Sequence, residues 1–267
     1  MKKCFTVNCM RKSNDFDGYE KILKEDLYQG IEIFFPYNVS DEQRDLYNNR
    51  VKKIIEEINP EMVLHLPHGK NNDLITENGE LNNLVIDRMK NAISYASQMG
   101  AKKLTLHLGY HPKDLTREQA VECVIKAVEV LCDFAKEYDS NIMIENMPGY
   151  GELGYSPDEI LYIIEKVNKV NLKFILDTGH AHCSKYELTE YVQKLSKYLY
   201  HMHFNDNDGT ADQHKRVNSG TIDFKKLFTE LNNIKYDQLH CMEVIFKEYT
   251  DLIEYEKDII IYDYLYK

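Results

Sequence analysis

The sequence predicts a single (β/α)8 barrel spanning residues 1–267, with its chemistry gathered at one end, and three observations support that expectation. Short apolar, β-rich runs alternate with amphipathic helical stretches along the chain. Strand starts recur every ~25 to 42 residues, a β/α period within one closed barrel and too uneven for a solenoid. Four of the apolar runs end in a metal-binding side chain: NIMIEN closes on Glu145, KFILDTGH on Asp177 and His180, LYHMHFND on His203, and LHCMEVI on Glu243. The carboxyl ends of parallel strands are where such folds place their reactive groups.

Eight strands are expected: FTVNC from Phe5, GIEIFF from Gly30, EMVLHLP from Glu61, KLTLHLG from Lys103, NIMIENM from Asn141, KFILDTG from Lys173, YLYHMHF from Tyr198 and HCMEVIF from His240. Helical patterns fill the intervals. Ser40 with Gln43 three residues on opens a helix that runs to Ile58, and Thr116 with Gln119 repeats the arrangement before a long stretch to Tyr138. Ser156, Pro157 and Glu159 give the strongest start signal: an N-cap, proline at the first helical position and a glutamate placed to bond back. No low-complexity segment or Gly/Ser linker breaks the alternation, so no domain boundary is expected.

At 267 residues and 43% hydrophobic the chain can bury one sizeable core. The net charge of -11 disfavours a nucleic-acid surface by default, although bound divalent cations would reverse the field inside a pocket. Cys4, Cys9, Cys123, Cys132, Cys183 and Cys241 show no CxxC spacing. Cys4, Cys9 and Cys241 lie in apolar strand-like runs, as reduced core cysteines do, which implies a cytoplasmic location. The start MKKCFTVNCMRK has too few apolar residues before Arg11 for a signal sequence, and no run approaches a membrane span.

Residues two apart in a strand share a face, so His201 and His203 point the same way, with His203 nearer the mouth. The same parity puts Glu145 and Asp177 at the mouths of their strands. Carboxylates and an imidazole converging from four strands cannot stay charged and unpaired, because desolvating each anion costs several kcal/mol. A divalent cation resolves the conflict. His68 ends LHLPH, His107 ends KLTLH, His180 follows Asp177 by three, and Asp212 and His214 lie in the DQH loop. With the strand-end set this makes five histidines and four carboxylates, more than one ion can use, so two or three ions are implied. Zinc or manganese suits such a mixed set, with magnesium, cobalt or iron as further candidates.

Plainer roles compete with these. A single strand-end histidine is more often hydrogen-bonded than metal-bound, but the ensemble reverses that balance. His65 and His201 lie one pleat deeper, where barrel residues usually pack in layers, and His240 begins its strand at the stability face. His111 and His182 are loop residues, read either as substrate contacts or as plain surface. Lys215 and Arg216 follow the DQH loop and could add positive charge for a substrate phosphate, whereas DNDGTADQH could equally be a polar turn whose aspartates bond their own backbone. The 20 tyrosines, with no tryptophan, fit packing better than a base-stacking platform.

The strings LPHG, TLHLG, IENMPGYG, LDTGHAH, HMHFNDNDG followed by DQH, and MEVI resemble, in order and spacing from Glu61 to Ile245, the xylose isomerase-like TIM barrel superfamily. That superfamily also contains the endonuclease IV (apurinic/apyrimidinic, AP endonuclease family 2) enzymes. The resemblance implies a central metal site of Glu145, Asp177, His203 and Glu243, a second of His68 and His107 bridged by Glu145, and a third of His180, Asp212 and His214. Two activities follow from it. One is a sugar or sugar-phosphate isomerase or epimerase in which Glu145 and Glu243 exchange a carbon-bound proton on a metal-chelated substrate. The other is a multi-metal phosphodiesterase acting on nucleic acid. The full nine-residue set favours the second. The short HFNDNDGTADQH loop with SGTIDF, the missing aromatic residue in HGKNND and the acidic balance favour the first, and a small-sugar substrate is the leading expectation from sequence. A metal-binding barrel without turnover is the third alternative.

Overall fold

The computed structural model describes residues 2–7 and 15–265. Eight parallel strands close into a barrel in chain order: β1 (Lys2–Thr6), β2 (Gly30–Phe34), β3 (Glu61–His65), β4 (Lys103–Leu106), β5 (Asn141–Glu145), β6 (Leu172–Asp177), β7 (Leu199–Phe204) and β8 (Leu239–Met242). β8 returns to β1 with Cys241 opposite Cys4, which completes the ring. The outer wall is α1 (Phe16–Lys24), α2 (Asp41–Ile58), α3 (Asn83–Gln98), α4 (Arg117–Lys136), α5 (Pro157–Val167), α6 (Thr178–Cys183), α7 (Leu188–Leu195), α8 (Phe224–Asn233) and α9 (Tyr249–Leu265). None of the described helices is long and apolar enough to cross a membrane.

Alternation along the strands splits the apolar interior in two. Outward residues such as Ile33, Leu64, Leu104, Ile144, Phe174 and Phe204 join the helices in one large core. Inward residues Cys4, Val63, Met143, Ile175, Leu239 and Cys241 form a small separate plug inside the ring. That is the layered filling a barrel of this size requires. Polar side chains stand above the plug, toward the carboxyl ends of the strands.

The strand boundaries depart from expectation mainly at the ends. β1 starts at Lys2, three residues before Phe5, while the expected Cys9 lies outside the described residues. β4 stops at Leu106 and β8 at Met242, because the chain turns into mouth loops where ladder pairing ends, leaving His107 and Glu243 just beyond.

The capping boxes at Ser40/Gln43 and Thr116/Gln119 form in full. The third start signal differs. Ser156 Oγ accepts from the Glu159 backbone N–H at 3.1 Å, but the Glu159 carboxylate does not bond back to the cap. It is claimed by a stronger, charge-assisted partner, Arg117, whose Nε and Nη2 donate at 2.6 and 2.8 Å. Glu159 also accepts from Gly154 N–H at 2.6 Å, and Arg117 reaches the carbonyls of Tyr150 and Glu152. The loop leaving Glu145 is thereby tied to the α4–α5 wall.

Cys4, Cys123, Cys132, Cys183 and Cys241 are free thiols, with Cys4, Cys132 and Cys241 buried. His240 is buried at the start of β8, stacked on Phe204 and Phe228 with ring centroids at 5.2 and 5.9 Å. It is a packing residue.

Candidate metal centre

β5, β6, β7 and the chain just past β8 bring Glu145, Asp177, His203 and Glu243 into one buried group whose ligand atoms all lie within 4.8 Å of one another. His203 Nδ1 lies 3.0 Å from Glu243 Oε2, 3.1 Å from Glu145 Oε1 and 3.9 Å from Asp177 Oδ2. One imidazole nitrogen thus faces three carboxylates.

Glu145 faces two ways. Its second oxygen, Oε2, lies 2.9 Å from His107 Nε2 and 3.5 Å from His65 Nε2. His65, His68 and His107 form a trio with ring centroids 4.3 to 4.9 Å apart. His65, expected only as interior packing, is therefore part of this group together with His68 and His107. On the opposite flank, Asp212 Oδ2 lies 3.3 Å from His180 Nε2 and 3.0 Å from His214 Nε2. Asp212 and His214 are two apart, and both side chains of DQH reach the same point as His180. The neighbouring residues do behave as a polar turn: Asn207 accepts from Gly209 N–H and Asp208 from Thr210 N–H. Asp212 does not take part in that turn.

The backbone sets the ring orientations. Nδ1 of His65 lies 2.9 Å from the Leu66 carbonyl, that of His180 2.9 Å from the Asn146 carbonyl, and that of His214 3.0 Å from the Glu243 carbonyl. A carbonyl can only accept, so each Nδ1 carries hydrogen and each Nε2 is presented to its cluster. Asp177 is held just as firmly. Its Oδ2 accepts from Asn205 Nδ2 at 2.7 Å, its Oδ1 from His180 N–H at 2.6 Å, and Asn146 bonds its backbone on both sides.

The electrostatics fit cations. Burial, then the charges of Glu243, Glu145 and Asp212, outweigh His180 and push the Asp177 carboxyl up to about 7. Burial, reinforced by His65 and His107, drives His68 down to about 2, so it is a neutral lone-pair donor. Burial alone would raise Glu145, but His203 and His107 hold it well below the usual carboxylate range. A group with too many carboxylates for its positive charge, beside the neutral ring of His68, has the donor chemistry of divalent-ion sites. His203 and Glu145 would serve the central ion with Asp177 and Glu243, the histidine trio a second, and the Asp212 group a third.

The other candidate residues stand apart from these contacts. Lys215 pairs with Asp208 at 3.4 Å, and Arg216 binds Asp258 of α9 and lies over the Tyr255 ring. Both cations are engaged away from the three clusters, because the loop pairs Lys215 with Asp206 through the backbone and turns the next side chain outward. His182 Nε2 lies 2.8 Å from Thr221 Oγ1 at a cleft between α7 and α8. His111 follows β4, its backbone N–H donating to Gly151 O, and its buried Nε2 has no hydrogen-bond partner among the described residues. His201 lies beneath His203, fully buried.

The sequence reading passed over Glu32, Thr105, Asn146 and Asn205. Glu32 in β2 is completely buried and its Oε2 lies 2.6 Å from His203 Nε2. A signal was present: in a parallel barrel both faces of a strand are covered, so a carboxylate in the middle of GIEIFF must find an interior partner.

The family model described as xylose isomerase-like TIM barrel matches residues 21–259. The chain belongs to the xylose isomerase-like TIM barrel family. Within it, the chain is 25% identical over 258 residues to Uncharacterized protein MJ1311 of Methanocaldococcus jannaschii, covering 90% of this chain and 82% of the relative. It is 27% identical over 201 residues to Probable endonuclease 4 of Mycoplasmopsis pulmonis, covering 70% of this chain and 71% of the relative. Among solved structures, a D-tagatose 3-epimerase-like protein superposes with a TM-score of 0.82 at 23% identity over 99% of this chain and 98% of that one. That last likeness bears on fold. Both sugar epimerases and endonuclease IV-like enzymes occur in the xylose isomerase-like barrels, and the geometry of the site must separate them.

Proposed function

We propose that this xylose isomerase-like barrel is a multi-metal phosphodiesterase of the endonuclease IV kind. One observation carries the reading: Glu145 directs Oε1 toward His203 and Oε2 toward His107, so a single carboxylate joins two clusters while His180, Asp212 and His214 supply a third. Sugar chemistry on one ion needs only the quartet and leaves His68, His107, His180, Asp212 and His214 without a role. The similarity to proteins named Probable endonuclease 4 supports the same reading. Divalent ions bound there supply Lewis-acid polarisation of a phosphoryl oxygen and acidify water. The chain's own residues do the rest. Glu145, with its charge kept by His203 and His107, orients the nucleophile, and Asn205 and Asn146 fix Asp177. The acidic surface is offset locally by the ions.

A sugar or sugar-phosphate epimerase is the second reading, favoured by the near-equal approach of Glu145 and Glu243 to His203 Nδ1, at 3.1 and 3.0 Å. Two carboxylates flanking one ion are what carbon-proton exchange requires. Protein reloaded with zinc or manganese is to be assayed on an abasic-site duplex and on bis(4-nitrophenyl) phosphate, in parallel with ketoses and ketose phosphates in deuterated water followed by NMR. Phosphodiester cleavage abolished by chelator is expected. Deuterium exchange into a ketose without any phosphodiester cleavage would transfer the assignment to the epimerase.

A further inference from the structure

Glu32 sits beneath the quartet with no solvent access. Its Oε1 accepts from Thr105 Oγ1 at 2.9 Å. Its Oε2 lies 2.6 Å from His203 Nε2, and 3.5 Å from each of His201 Nε2, Thr6 Oγ1 and Cys241 Sγ. Thr6, Thr105 and Cys241 are neutral, and among the described residues no lysine or arginine pairs with Glu32. Leaving a carboxylate there costs several kcal/mol in lost hydration, and the hydrogen bond from Thr105 and the short bond to His203, its one charge-assisted partner, stand against that cost. An apolar side chain would suit the adjoining plug of Val63, Met143 and Cys241 better if packing were all that mattered.

His203 has two ring nitrogens and both are committed. Nε2 faces Glu32; Nδ1 faces Glu145 and Glu243. A carboxylate on Nε2 keeps the hydrogen on that side when an ion displaces the one on Nδ1, so that the Nδ1 lone pair is the one given to the quartet; it also locks the ring plane and strengthens the nitrogen as a donor. We propose that Glu32 is a positioning residue that, through His203, sets the affinity of the central site for its ion. The proposal rests on the reading of Glu145, Asp177, His203 and Glu243 as ion ligands. Thr105, by fixing Oε1, holds Glu32 itself in register, so a chain of three buried side chains runs from β4 through β2 and β7 to the quartet.

The test is a competition titration of zinc against a chromophoric chelator, with the absorption spectrum of the cobalt-substituted protein as a second readout. Wild type, Glu32→Gln, Glu32→Leu and Thr105→Val are compared, and ion-free melting is recorded for each. Glu32→Gln is expected to keep the ion count but weaken one ion about 10- to 100-fold and shift the cobalt spectrum. Glu32→Leu should weaken it at least as much, and its ion-free melting separates lost affinity from lost stability. In a His203→Ala background, Glu32→Gln should have no further effect, because the coupling passes through that ring. If Glu32→Gln does not fold, Thr105→Val and Glu32→Leu carry the same titration. A wild type that takes up no ion sinks the metal reading and this proposal together. Wild-type binding that both Glu32 variants leave unchanged sinks the proposal alone. Loss of one whole equivalent in Glu32→Gln, with the remaining ions held as tightly as before, would make Glu32 a ligand of its own ion with His201 and Cys241 and also overturn the positioning role.

Discussion

Glu145 Oε2 lies 2.9 Å from His107 Nε2 while the other oxygen of the same carboxylate lies 3.1 Å from His203 Nδ1. Removing this side chain therefore strikes two clusters at once. Glu145→Ala is expected to lower metal content by about two equivalents, whereas His68→Ala, confined to the histidine trio, should lower it by about one. Elemental analysis after reloading and exhaustive dialysis checks this, with circular dichroism to show that both variants fold. Equal losses in the two variants would show that Glu145 does not bridge.

The Asp212 cluster should reveal itself through protons. Burial alone would lower His214, but its bond to Asp212 and the charge of Glu243 push it up to about 10, and His180 is likewise held well above its ordinary value by Asp177 and Asp212 against the effect of burial. An ion needs both Nε2 lone pairs, so uptake near pH 7 must expel about two protons. Zinc calorimetry in buffers of different ionisation enthalpy measures the release, and Asp212→Ala with His214→Ala should lower it by about two protons along with one equivalent. The stability of the ion-free protein moves the other way. A raised His214 pKa stabilises fully below its unfolded value near 6.5, and this contribution is lost as pH rises toward about 10. Melting of the ion-free protein should thus fall over the same interval in which ion affinity rises. A release that the double variant leaves unchanged would contradict the cluster's geometry.

Much of the site was legible in sequence because of one rule of placement. Glu145, Asp177 and His203 end β-rich runs, and strand parity alone points them to the mouth of the barrel. The structure adds what parity cannot see. Glu32 is 171 residues from His203 and three strands away around the ring, with β8 and β1 between, so the identity of its partner depends on barrel closure and has no local signal. His65 joined its trio because the chain beyond β3 folds His68 back over it, with ring centroids at 4.3 Å. Glu159 was misread for a related reason: the local pattern fits a capping box, but a tertiary partner, Arg117, lies 42 residues away. Local rules held where the competing partner was water and failed where it was a charged group brought in by the tertiary fold.

The last expectation concerns Gly179, in the first turn of α6. Its carbonyl accepts from Asn207 Nδ2 at 2.9 Å, and a Cβ at this position would overlap Asn205 Oδ1 and come within 3.0 Å of Asn207 Nδ2. Asn205 also donates to Asp177 Oδ2 at 2.7 Å, and the 205–207 segment launches the loop that carries Asp212 and His214. Both asparagines are fully buried. Gly179→Ala must therefore push Asn205 off Asp177, an overpacking change that costs about 1–3 kcal/mol. Gly149 and Gly151, in the loop after β5, have nothing within 4 Å of a built Cβ, so alanine there should be close to neutral. Denaturant unfolding of the three ion-free variants tests the contrast, and zinc titration should show weakened binding in Gly179→Ala alone. If Gly179→Ala is as stable as Gly149→Ala and binds zinc as tightly as wild type, Asn205 does not hold Asp177 in place.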